Sequence, residues 1–182
     1  MVLSLVAYGC TQSAFDIGIK KLNGIDEKYG ISLQAPPETT ENIDEVINDL
    51  NQFKTANNVE SLEMLADFRI KFLESQKLFI EGWQWGRGST TIYGFGCTKG
   101  YARVTTSASI RNASAQAGFE AVDLLEQFVD NYPNEAKSVN ITQKDVLFLK
   151  ALYFQGEEQA SKDARIIESA CGGKGYNKTL SE

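Results

Sequence analysis

The side chains best suited to chemistry in this 182-residue chain are three cysteines and one cluster of aromatic rings, because histidine is absent. Without an imidazole there is no Ser-His-Asp or Cys-His relay, no His-ligated zinc and no helical Glu-x-x-His di-metal centre. Carboxylates are abundant, yet Asp123, Glu126 and Asp130, or Glu157 and Glu158, match no Asp-x-Asp-x-Asp-Gly calcium loop. Such clusters are read most simply as solvated faces. The sequence therefore predicts no catalytic residue, no metal and no cofactor, and a carboxylate-based enzyme is the least favoured reading.

The aromatic cluster comprises Trp83, Trp85, Arg87, Tyr93 and Tyr101, interleaved with Gly86, Gly88, Gly94 and Gly96. Ring faces beside an arginine stack on flat ligands or sugars, or anchor a protein partner. The glycines permit close backbone approach, although their spacing fits no phosphate-binding loop. These five residues are the candidate ligand-binding set. The competing reading is that the rings plug the open end of a helical bundle.

The cysteines differ in context. Cys10 follows the apolar run Val2 to Gly9 and precedes the polar Thr11-Gln12-Ser13. This resembles the end of a lipoprotein signal, in which an apolar leader is removed and the cysteine is acylated. No Lys or Arg precedes the run, and the leader is shorter than usual. The resemblance implies lipidation at Cys10 and an extracytoplasmic, membrane-anchored location at the cell surface. A core cysteine in a short buried strand or helix start is the alternative. Cys97, among glycines, and Cys171, before Gly172-Gly173, then remain as a pair for a disulfide, which persists only in an oxidising compartment. Two independent thiols are the other possibility. Three sequons, at Asn112, Asn140 and Asn177, add a mild hint of a glycoprotein. Asn140 and Asn177 read as loop positions, Asn112 as a helix start.

Helical periodicity supplies the elements that must position these residues. Phe15, Ile19 and Leu22 draw a first stripe that Asn23-Gly24 should stop. After Pro36-Pro37, Thr40 reads as an N-cap for the stripe Ile43, Val46, Ile47, Leu50 and Phe53. A long helix follows through Leu62, Leu65, Phe72, Phe79, Ile80 and Trp83, with Arg69 on its apolar stripe and Asp163 as a candidate ion-pair partner. A third long helix runs from about residue 113 to Tyr132, ended by Pro133, and a fourth starts after Thr142, with Gly156 as a candidate kink. Residues 87 to 108 lack a helical period, and Thr91 to Tyr93 is expected to pair with Tyr101 to Thr105 as a hairpin. The fold class predicted is mainly α, a helical bundle or short stack of helical hairpins with one irregular or β-hairpin excursion around 87–108. It divides into a leader at 1–10, one helical domain at 11–172 and a C-terminal tail at 173–182.

The stretch from Ala121 through Leu125 and Pro133 to Tyr153 and Gly156 resembles part of a tetratricopeptide repeat, with Phe128 where a small residue is usual. That resemblance implies helical-hairpin packing and a protein-binding surface. As a whole the chain resembles small prokaryotic lipoproteins, archaeal ones included. The formal charge of −6 argues against nucleic acid as a partner. The expected function is a lipid-tethered binding module of the cell envelope, contacting a protein or envelope component and touching the membrane only through its anchor. A self-associating subunit of a surface layer or filament is the alternative.

Overall fold

The computed structural model describes residues 13–31, 40–86 and 92–172, with the side chains of all of these except 92–101, 164, 167, 170 and 172. Six helices follow in order: α1 Ala14–Tyr29, α2 Ile43–Thr55, α3 Glu60–Gly86, α4 Ile92–Asn131, α5 Pro133–Ser138 and α6 Gln143–Gly172. Among the described residues there is no strand, so the mainly α bundle expected from the periodicity is what forms. The segments 1–10 and 173–182 lie outside the described residues.

The expected hairpin around 87–108 is not present. From Ile92 onward the chain is already in α4, a helix of 40 residues and about 60 Å. Small residues explain the discrepancy. Val104, Ser107, Ala108, Ser114, Ala115 and Ala121 are buried on α4 at helical spacing, but half of that face carries little hydropathy. A periodicity search weighted to large apolar residues passes over such a face, while the backbone gains close approach to its neighbours.

Helix α4 is the spine. It packs along α3 on one side and α6 on the other, while α1 and α2 cover the far side of α3. Contact with α3 is close because serines and a glycine sit at the crossing. The Ser75 hydroxyl donates to the Ser114 carbonyl (2.9 Å) and the Ser114 hydroxyl to the Ser75 carbonyl (2.8 Å). Ser107 donates in the same way to the Gly82 carbonyl (2.7 Å). Leu65, Phe68, Val122, Leu125, Phe128 and Val146 fill the three-helix core, each full burial of such a side chain contributing roughly 1.5–3 kcal/mol.

Two helix ends depart from the sequence reading. Helix α1 does not stop at Asn23-Gly24; it continues to Tyr29 and ends on Gly30, left-handed at φ 64°. Ile25 and Tyr29 pack against the core, which offsets the roughly 1 kcal/mol cost of Gly24 within the helix. Thr40 is not the N-cap of α2. Asn42 takes that place at φ 72°, with no side-chain cap. The start of α1 is better secured, by reciprocal bonds between Ser13 and Asp16. Pro133 ends α4 as expected and opens α5, and α6 passes through Gly156 without interruption.

The expected partner of Arg69 is also corrected. Arg69 pairs with Asp26 (2.9 Å) and donates to the Leu22 carbonyl and the Asn23 side chain, tying α1 to α3. Asp163 instead pairs with Arg111 (2.6 Å), tying α6 to α4. Each arginine takes the carboxylate that its helix neighbour brings, and Arg69 lies on the α1 side of α3.

Candidate functional site

Because α3 and α6 flank α4, a groove of about 1020 Å³ opens between them with α4 as its floor. Phe79 and Trp83 form the α3 wall, Phe148 and Leu152 the α6 wall, and Ser114 and Ala115 lie beneath. The groove is closed at one end by Val139, Asn140 and Ile141. Four of the wall side chains are large, apolar and exposed: Phe79 at 47%, Trp83 at 52%, Phe148 at 68% and Leu152 at 46%. Scattered exposed apolar residues need no explanation, but four lining one concavity make it the candidate site.

The groove lining carries few charged groups. Its charged lining residues are Arg111 and Asp145. Arg111 is neutralised by Asp163, whose second oxygen accepts from Gln159 (2.8 Å). Asp145 is occupied at the start of α6, accepting from the Thr142 backbone (2.8 Å) and hydroxyl (2.7 Å). The Tyr153 hydroxyl sits against Ser75 and Gln76. Burial pushes this phenol up from its ordinary value, so it stays neutral. Gln76, Gln155 and Gln159 supply uncharged donors and acceptors. Among the described residues no three metal-ligating side chains converge.

Of the candidate ligand-binding residues, Trp83 is in the groove. Trp85 is exposed but lies two residues further round α3, outside the groove lining. Arg87 and the side chains of Tyr93 and Tyr101 lie outside the described residues, although Tyr93 and Tyr101 are on α4. Cys10, Asn177 and the Cys97 side chain lie outside them too. Cys171 is buried and disulfide-bonded. Asn140 is exposed in the α5–α6 connection, left-handed at φ 57°, on the rim of the groove. Asn112 is not a helix start: it lies well inside α4, with its side-chain oxygen buried and Ser114 of its sequon bonded to Ser75.

The periodicity along the sequence sets Phe79 on an apolar stripe and does not single out Phe148. One signal was available. Leu147-Phe148 and Leu152-Tyr153-Phe154 put large apolar residues at adjacent positions, more than a single buried face of α6 can hold.

Among the described residues no helix is long and apolar enough to cross a membrane. No protein-family model, curated protein or solved structure matches this chain.

Proposed function

We propose that this chain is an interaction module of the cell envelope, lipid-tethered through Cys10, which binds a partner protein by taking an apolar helix face into the groove between α3 and α6. The observation that carries the reading is the row of exposed wall residues Phe79, Trp83, Phe148 and Leu152 above a floor of small side chains. Two walls of helix with a mainly apolar trough between them, whose Arg111 and Asp145 already have partners within the fold, suit a third helix better than a small polar ligand. Large apolar anchors docking in such a trough are the usual source of affinity. A bonded, buried Cys171 supports an oxidising compartment, and Cys97 is its proposed partner. Asn140 and Asn177 remain the proposed glycosylation positions.

The test of the groove uses Trp83 as a reporter in the Trp85→Phe variant, where it is the sole tryptophan. Titration with an amphipathic helical peptide should shift its emission to the blue and saturate, while a scrambled peptide of equal composition should not. No shift, or an equal shift with both, would overturn the groove. Intact mass from the native membrane fraction tests the tether. Loss of residues 1–9 with an acyl group on Cys10 is expected, and an unmodified full-length chain would overturn it.

A further inference from the structure

Outside the groove, the N-terminal half of α6 carries a second apolar row that remains exposed among the described residues. Leu147 (63% exposed), Ala151 and Phe154 (62% exposed) recur at spacings of four and three, the seam of a helix that pairs with another helix. The row is closed by opposite charges. Lys144, exposed and outside the ion pairs of the described residues, stands one turn before Leu147, while Glu157 and Glu158 follow Phe154. Glu158 has an intrahelical partner in Lys162 (2.8 Å), and Glu157 has none among the described residues.

We infer that this face of α6 binds a second copy of the chain, as a two-fold dimer with antiparallel α6 helices crossing near Ala151. The charge order selects this occupant. Reversing the helix about Ala151 lays Leu147 of each copy near Phe154 of the other. It also sets Lys144 of each copy beside Glu157 and Glu158 of the other, so both ends of the seam pair opposite charges. A parallel arrangement would set lysine against lysine and glutamate against glutamate. A surface that complements itself under a two-fold rotation is what an isologous interface requires. The inference concerns the outer ridge of α6, not the groove walls, and so stands apart from the proposed partner site.

Sedimentation equilibrium of the full chain across the micromolar range tests it. The wild type should dimerise, and Leu147→Glu with Phe154→Glu should be monomeric with an unchanged melting temperature, since both side chains are exposed. Lys144→Glu should weaken the dimer on the order of tenfold, because it reverses two symmetry-related pairs, and adding Glu157→Lys should recover part of the loss. The geometry has its own readout. Ala151→Cys should cross-link to its own copy under mild oxidation, whereas Lys144→Cys should not, because antiparallel helices hold these positions about 20 Å apart. A monomeric wild type, a dimer indifferent to Leu147→Glu with Phe154→Glu, or cross-linking at position 144 would each overturn the proposal. The peptide titration repeated on the Leu147→Glu, Phe154→Glu variant separates the two surfaces. For that variant both proposals predict a monomer that still binds the peptide; for the wild type, peptide binding without dimerisation removes only the dimer, and dimerisation without peptide binding removes only the groove.

Discussion

The packing of α4 against α6 makes opposite predictions for two glycines within the bundle. An alanine methyl at Gly118 would stand 2.2 Å from Cδ1 and Cε1 of Tyr153 and 2.5 Å from Cζ. At Gly156 it would meet nothing within 4 Å. Both are helical positions, so each substitution gains the roughly 0.5–1 kcal/mol that separates alanine from glycine in a helix interior. At Gly156 that gain stands alone. At Gly118 it opposes an overpacking cost of about 1–3 kcal/mol, since the Tyr153 ring is 6% exposed and packed beside Phe119 at 6.2 Å between centroids. A chain of this size shifts its melting temperature by about 2–4 °C per kcal/mol. Gly156→Ala should therefore raise the midpoint by roughly 1–4 °C. Gly118→Ala should leave it unchanged at best and lower it by as much as roughly 10 °C. Because Tyr153 also lines the groove, Gly118→Ala should weaken peptide binding as well. Thermal unfolding followed by far-UV circular dichroism decides the matter. Equal stabilisation by both substitutions would refute the α4–α6 contact on which the groove depends.

Other expectations follow from the polar contacts. Asp26→Asn should destabilise the fold by about 1–3 kcal/mol, because it strands the largely buried Arg69 guanidinium, whereas Asp26→Leu with Arg69→Met should cost much less; denaturant titration of the three proteins checks this. Burial, opposed by Arg69, raises the Asp26 pKa above its ordinary value. Asp49 behaves oppositely. Hydrogen bonds from Lys28 and Tyr29 hold its pKa below the usual value, so its contribution is present at neutral pH and disappears as acid protonates it in the folded state. Asp49→Asn should flatten the acid limb of stability below about pH 4. Ser114→Ala removes a buried donor and should cost about 0.5–1.5 kcal/mol by the same unfolding assay. The proposed Cys97–Cys171 bond would close a loop of about 75 residues, so on that proposal reduction should lower stability by roughly 4 kcal/mol and release one peptide pair in mapping.

Which features were legible in the sequence follows from what each helix presents. Large apolar stripes announced α2, α3 and the later half of α4, since Val46, Leu50, Leu65, Leu125 and Phe128 stand at helical spacing and are fully buried. The first half of α4 was hidden because its face is built of Ser107, Ala108, Ser114 and Ala115, whose value lies in letting helices approach closely rather than in hydropathy. Local stop signals also misled. Asn23-Gly24 is a good helix end in isolation, but tertiary contacts of Ile25 and Tyr29 carry α1 past it. Ion pairing failed for a related reason, since Arg69 could be placed on a stripe but not beside a particular neighbour before the packing order was known. At the site, Trp83 was read from composition. The groove itself depends on how far α3 and α6 stand apart across α4, which periodicity along one helix does not encode.

The most direct test of the binding account compares the affinity of an amphipathic helical peptide for the wild type and for Phe148→Asp with Leu152→Asp. Both side chains are exposed, so the melting temperature should hold within about 1 kcal/mol of stability. Ile17→Asp, an exposed apolar position on α1 away from the groove, serves as the control. The account predicts a loss of at least about thirtyfold for the double variant, as expected when two anchors are removed, and no change for the control. Equal affinity for all three proteins would contradict it.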